Sequence, residues 1–448
     1  MVGPSLAEDQ GESPIRELAR RFFITFLLGV VIYRLGVFIA IPGVDVAVLK
    51  AKVAGAAADG GPLGAIIAFA DMFNGGAIMN ASLFGLGIMP YISASIIMQL
   101  LTYSMPQLKA IQKEGEGGRR KINQYTRYMT LVICSIQAVM AASALSGINH
   151  EGKVLVTIEN KMFFIAQASL VIVTGSMVLL WISEQITKFG IGNGVSVVIM
   201  VSILAGLPGA FAGGDSAGLP HYLMIGLVSL AIIAGIVVVV QAVRRIGLEQ
   251  QRRVQGNKVY GGQQTSLPLK LNQANVIPVI FAQPVMMAFG MLAGWVGANY
   301  GLGQLFDWGT PLYRYLFAAL IVGFTFFYIS ITFDLYDLAN HFKQSGFFIR
   351  GIKPGKNTVD YLAFHLKRIT FIGAIFLAVI AILPEMLEAQ FVSGSSGRML
   401  MGGTGLLIVV GVSLDIMQKV GAFFLAHQYR GLGGIGDDNA PKKGGKRF

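Results

Sequence analysis

Apolar positions in this chain come in long unbroken stretches, with the polar and charged residues gathered between them. Eight runs of 19 to 24 residues, charge-free or nearly so, lie at 22–41, 83–103, 128–148, 162–183, 191–214, 222–243, 276–298 and 315–333. Two shorter runs, 369–384 and 399–414, hold sixteen residues each. A helix needs about 20 apolar residues to cross a hydrocarbon layer about 30 Å thick. Each long run therefore predicts a transmembrane helix, and the two short ones are marginal by length alone.

The charges between the runs decide the matter. Orientation follows Lys and Arg rather than net charge. With alternate connectors assigned to alternate sides, 27 of the 35 Lys and Arg residues fall on one side. They occupy the N-terminal tail, 104–127, 184–190, 244–275, 334–368 and the tail after 426. The other side holds six: Lys50, Lys52, Lys153, Lys161, Arg314 and Arg398. Omitting either short run would put a basic segment on the wrong side. The pattern predicts an all-α polytopic membrane protein of ten spans, both termini cytoplasmic. The first run lacks an A-x-A-like exit, so it is expected to stay as a span rather than be removed as a leader.

Composition agrees: 54% of residues are hydrophobic and 13% charged, against about 25% charged in soluble domains. The net charge of +12 is then mostly a topology signal, with anionic lipid as its general partner, and sequence-specific nucleic-acid binding is not implied. The single cysteine, Cys134, excludes an internal disulfide framework and lies in an apolar run as a small core residue. The five histidines are scattered without metal-ligand spacing, and Gly190–Gly194 (GIGNG) opens a span instead of following a strand. No enzyme chemistry, cofactor or metal is expected.

The chain divides into a tail at 1–21, five spans over 22–214, a Gly/Asp/Ser/Pro hinge at 215–221, five spans over 222–428 and a basic tail at 429–448. An odd number per half makes the halves enter from opposite sides, so a shared shape would be an inverted repeat. Two basic connectors, 244–275 and 334–368, are long for helix links. They serve either orientation alone or the docking of a large polyanion or an acidic partner. The eleven apolar residues Leu63–Phe73, followed by Asn74-Gly75-Gly76, are too short to span. They predict a re-entrant helix with a glycine hinge or a helix lying flat on the surface. Charges inside spans are few: Arg34 is close enough to the outer end to snorkel, and Asp415 and Lys419 stand four apart, able to pair.

Several longer motifs remain. Gly87–Leu101 (GIMPYISASIIMQLL) resembles the second span of the SecY family of protein-conducting channels, and Lys113–Tyr128 (KEGEGGRRKINQYTRY) resembles the connector after it. Glu184–Thr187 (EQIT), Gly190–Gly194, Val276–Ala282 (VIPVIFA) and Gly402–Ile408 (GGTGLLI) follow in the family's order, and the similarity runs from about residue 15 to 428.

The resemblance implies an hourglass pore between two five-helix halves, closed at its waist by branched apolar residues. By position these are Ile88, Ile92, Val195, Ile199, Ile280 and Ile408. It implies a plug at 63–76, including Leu63, Ile66, Ile67, Phe69, Met72, Phe73, Asn74, Gly75 and Gly76. A lateral gate is implied between spans two–three and seven–eight, with Gln99, Thr102 and Gln283 as its polar residues. The basic connectors would receive the SecA motor or the ribosome through Arg244, Arg245, Arg252, Arg253, Lys258, Arg350, Lys353 and Lys356. SecE and SecG would be the accompanying subunits, and signal peptides and nascent chains the substrates. The chain departs from the family at Lys353, where Arg is usual, and at Asn257-Lys258, where paired arginines are common; lysine lacks the bidentate fork. Without the resemblance, a secondary transporter or a pore-free scaffold would also fit ten spans.

Overall fold

The computed structural model describes residues 14–51, 71, 74–147, 149–150, 153–154, 156, 158, 160–212, 219–250, 253–255, 258–260, 264–282, 285–286, 289, 310–391 and 403–433. Helix α1 (Pro14–Phe26) continues through a π-helical turn (Leu27–Ile32) into α2 (Tyr33–Phe38). It starts before the apolar run because proline suits a first turn and Glu17 pairs with Arg21 at 2.7 Å, one turn apart. Helices α3 (Met89–Ser104), α4 (Pro106–Lys113), α5 (Glu116–Ser146), α6 (Lys161–Phe189) and α7 (Gly194–Ala212) complete the first half, with a short antiparallel pair, β1 (Asn149–His150) and β2 (Lys153–Val154), between α5 and α6. The second half holds α8 (Leu219–Gln241), a helical stretch at 277–282, α9 (Pro311–Thr332), α10 (Leu335–Ser345), α11 (Lys356–Phe391) and α12 (Gly403–Gly433).

Among the described residues, six helical stretches are long and apolar enough to cross a membrane. Of the other four expected spans, three fall on the apolar helices α3, α7 and α8, while 276–298 is described as helix at 277–282 and lies mostly outside the described residues beyond that. The second span begins six residues later than its apolar run, at Met89. Residues 74–88 are a series of turns in which Gly75, Gly76 and Gly87 take positive φ, a backbone that the run of hydropathy does not reveal. The run 369–384 and the described part of 399–414, from Gly403, belong to far longer helices, α11 and α12. Their polar ends extend beyond the apolar stretch, so counting apolar residues alone understates the helix.

The expectation of an all-helical chain needs correction in the basic connectors. Val243–Gln250 (β3) pairs antiparallel with Gln264–Lys270 (β6) and also with Phe347–Ile349 (β7), giving one sheet in the order β6-β3-β7. Leu248 stands opposite both Thr265 and Ile349. The cause is period-two patterning: Ile246 and Leu248 turn inward among Leu269, Ile349, Leu362 and Ile369, while Arg244, Arg245 and Gly247 are exposed. A window tuned to twenty-residue apolar runs does not register eight residues of alternation. Connector 334–368 is also shorter than it looked, because α10 and the first turns of α11 fill most of it.

Helix pairs meet along small residues. In α5 the buried stripe Thr126, Thr130, Cys134, Ala138, Ala142 recurs every four residues, facing α6 with its buried Phe164, Ala168 and Ile172. Lipid tails are as apolar as leucine, so close backbone approach rather than water exclusion drives such pairing. Cys134 is fully buried there, as its apolar setting predicts. Asp415 and Lys419 pair at 2.9 Å on α12, as their spacing predicts. Helix α12 packs on α7 of the first half and on α8 of the second, joining the two.

Candidate functional site

The six branched apolar residues proposed for the waist come from four separate elements. Ile88 immediately precedes α3 and Ile92 lies in its first turn; Val195 and Ile199 lie one turn apart at the start of α7. Ile280 belongs to the 277–282 stretch and Ile408 to the second turn of α12. All six belong to one apolar cluster. Ile88, Ile199 and Ile408 are buried within it, and Ile92, Val195 and Ile280 are partly exposed at its edge. The polar side chains beside it are satisfied locally: the Ser202 hydroxyl donates to the carbonyls of Val198 and Ile199 at 3.1 and 2.8 Å. The result is an apolar junction between the two halves.

Of the plug candidates, Leu63, Ile66, Ile67, Phe69, Met72 and Phe73 lie outside the described residues. Asn74, Gly75 and Gly76 are described, and they are held from several sides. The Tyr33 hydroxyl donates to the Asn74 carbonyl at 2.9 Å, and Arg34 Nη1 donates to the Gly75 carbonyl at 3.1 Å. Asn74 Nδ2 donates to the Gly85 carbonyl at 3.1 Å. The Asp71 carboxylate, itself buried, accepts from the amides of Ile78 and Met79 at 2.7 and 3.0 Å. Tyr33 is almost fully buried and stacks on Phe84 at 6.0 Å. Gly75 has φ +60, and a Cβ there would stand 3.0 Å from both the Ser202 carbonyl oxygen and the Tyr33 hydroxyl.

Two expectations change here. Arg34 does not simply reach for the membrane surface: it hydrogen-bonds Gly75 and lies over the Phe38 ring at 5.1 Å. No sequence pattern singles out Tyr33 or Asp71. Their partners are backbone groups, in the first case 41 residues away, and such bonds leave no spacing to read. The one available signal was Arg34, a charge inside a span.

Among the gate candidates, Gln99 is exposed on α3, whereas Thr102 is buried and donates to the Met98 carbonyl of its own helix at 2.7 Å. Gln283 lies outside the described residues. Beyond α3, two ion pairs join the halves. Lys109 of α4 meets Asp334 at 3.2 Å, and Lys113 meets Asp337 of α10 at 3.5 Å. Asp334 also caps α10, accepting from the amides of Tyr336 and Asp337, both at 3.2 Å. No local sequence pattern points to this contact, which joins residues 225 apart.

The docking candidates are split. Arg244 and Arg245 are exposed on β3, and Arg350 is exposed just after β7, 4.0 Å from Glu249. Lys353 is exposed in the following turn, where its carbonyl accepts from Thr358 Oγ1 at 3.1 Å, and Lys356 opens α11. Arg253 and Lys258 fall on the short antiparallel pair β4 (Arg253–Gln255) and β5 (Lys258–Tyr260), while Arg252 and Asn257 lie outside the described residues. The sheet thus unites Arg244, Arg245 and Arg350, which sequence distance had separated.

With this geometry established, comparison with known proteins is informative. The SecY family model matches residues 82–417. The protein translocase subunit SecY of Vibrio cholerae is 41% identical over 438 residues, covering 94% of this chain and 95% of its own. The protein of the same name from Escherichia coli K12 is 41% identical over 439 residues, covering 95% and 96%. That of Thermotoga maritima is 38% identical over 422 residues, covering 93% and 95%. In fold the chain is similar to a solved structure described as a protein conducting channel, with TM-score 0.59 and 18% identity over 91% of this chain and 93% of that one. It is also similar to Sec61 in the canine ribosome-channel complex, with TM-score 0.56 and 16% identity over the same shares. Motif order, helical architecture and near-full-length identity to several relatives agree: the chain belongs to the SecY family.

Proposed function

We propose that this chain is the pore-forming subunit of a passive channel that moves unfolded polypeptides across the bacterial plasma membrane and releases apolar segments sideways into lipid. The observation that carries the reading is the meeting of Ile88, Ile92, Val195, Ile199, Ile280 and Ile408 in one cluster at the junction of the halves. An apolar constriction dewets and so blocks ions, yet it offers a passing chain no hydrogen bonds to hold it. The printed names of the SecY relatives and the description of the similar channel structure support the same reading.

In this reading ten helices span the membrane with both ends cytoplasmic, and segment 63–76 is the plug. Tyr33 and Arg34 anchor its last residues to the first span. The lateral exit lies between α3 and α5 on one side and the span that starts at 277 and α9 on the other, with the α4–α10 ion pairs across its basic end. SecA or a ribosome docks on the exposed cations of the β6-β3-β7 sheet, and SecE and SecG complete the channel. The similar Sec61 structure was solved in a ribosome-channel complex, which supports a ribosome as one partner.

The test is a crosslink. Cys134 is replaced by Ala, a residue its small-residue stripe accommodates, and a single cysteine is placed at Ile92 or Ile280. A secretory chain stalled during transport is expected to crosslink at both positions and not at the lipid-facing Leu170. Absence of the Ile92 and Ile280 adducts while the chain is stalled would overturn the reading.

A further inference from the structure

Besides α12, two short helices join the halves. Helix α4 follows α3 after a single extended residue, Met105, and α10 follows α9 after two, Phe333 and Asp334. Each is thus a short arm on a span of its own half, and the arms meet through charge.

The charges are in register. Lys109 and Lys113 stand four residues apart on α4, and Asp334 and Asp337 three apart at the start of α10. At those spacings each like-charged couple lies along one helix face. Lys109 Nζ meets Asp334 Oδ2 at 3.2 Å, and Lys113 Nζ meets Asp337 Oδ2 at 3.5 Å, a ladder of two rungs. The other oxygen of Asp334 accepts from the Tyr336 and Asp337 amides, so capping and pairing do not compete. Glu114, beside Lys113 in sequence, is 3.4 Å from Lys121 instead.

No apolar cluster supports the ladder. Among the described residues α4 has no buried side chain and contributes to none of the clusters. Leu335, Leu338 and Phe342 of α10 pack with the sheet instead. The four charged side chains are 37–59% exposed. Exposed pairs are weak and screened by salt, so this contact can be undone under conditions that leave the apolar packing of α12 intact.

We infer that the ladder is an autoinhibitory latch on the lateral exit. The inference rests on the proposed reading in which the halves part between α3 and α5 on one side and the 277 span and α9 on the other. Only one or two residues separate each arm from its span, so α3 and α9 cannot part at this end while Lys109 and Lys113 remain on Asp334 and Asp337. The latch biases the resting chain toward closure, yet it yields to whatever draws the spans apart.

Distance measurement tests it. With Cys134 replaced by Ala, spin labels are attached to cysteines at Gln112 and Asn340, both exposed, and the full chain is reconstituted in vesicles. Electron–electron resonance is expected to give one short separation at 0.05 M salt and a growing longer one at about 0.5 M. K109Q/K113Q should raise the longer population roughly fivefold at low salt, as expected for two exposed pairs together, and should remove most of the salt response. K113D should raise it further by repulsion, and K113D/D337K should restore the short separation with the Asp334 cap intact. In the crosslinking assay, a stalled secretory chain should form more Ile92 adduct in K109Q/K113Q than in the unsubstituted chain. Adducts absent from every chain would strike the pore reading, with the distance result standing by itself. Separations that ignore both salt and K109Q/K113Q would overturn the latch. So would a K113D/D337K chain no shorter than K113D, or Ile92 adducts that form but do not increase in K109Q/K113Q.

Discussion

Gly75 and Arg34 show how much a single residue decides in the turns before α3, at the end of the proposed plug. Gly75 combines φ +60 with a Cβ position 3.0 Å from the Ser202 carbonyl oxygen, whereas Gly76, at φ +86, has only the end of Asn80 at 3.9 Å. Both positions strain an alanine, but only Gly75 also crowds it. Gly75→Ala is therefore expected to cost at least about 1 kcal/mol and to lower the thermal midpoint in detergent more than Gly76→Ala does. Equal shifts would remove the packing argument. Arg34→Ala deletes the donor to the Gly75 carbonyl, and amide exchange at Gly76 and Ala77 should quicken, with Arg34→Lys restoring much of the protection. Arg34 and the glycine pair were legible in sequence as a charge in a span and a hinge. Their pairing was not, because a side chain bonding a distant carbonyl obeys no local period.

Short elements between the spans carry most of what hydropathy missed. Helices α4 and α10 touch through two exposed ion pairs, and exposed pairs contribute about 0–1 kcal/mol each and weaken with salt. Asp334 has a second task as the cap of α10, which is worth about 1 kcal/mol. Asp334→Ala should thus destabilise more than Lys109→Ala, and a double-mutant cycle should return a coupling below the cost of Asp334→Ala alone. A coupling as large as that full cost would mean the cap contributes nothing. In the sheet, Leu248 is buried among Ile246, Leu269, Ile349 and Leu362, so Leu248→Ala is expected to cost about 2–5 kcal/mol. Tryptic cleavage after Arg244 and Arg245 should accelerate while the spans stay resistant. The alternation that builds β3 was present in the sequence from the start. Its basic charge drew attention to orientation instead, and the pairing of β3 with β7, across about a hundred residues, was beyond any local reading.

For the molecule as a whole, the long apolar runs carried the architecture and the family motifs pointed to the cluster of branched apolar residues. No periodicity links Ile88 to Ile408; only the packing of α3, α7, α12 and the 277–282 stretch brings them into one cluster. In the proposed function that cluster is the seal. Ile280→Asn and Ile408→Asn together should let ions leak through the resting protein in planar bilayers, whereas asparagines at lipid-facing Leu170 and Leu227 should not. An unchanged conductance would move the seal elsewhere. The fused connectors have a mechanical consequence. Strand β3 follows α8 after a single residue, β6 leads toward the 277–282 stretch, and β7 is tied through short turns to α10 and α11. The sheet is therefore a handle bolted to four helices of the second half at once. A load applied to either connector is shared among all of them, so a partner gripping one edge can lever the entire half instead of bending a loop.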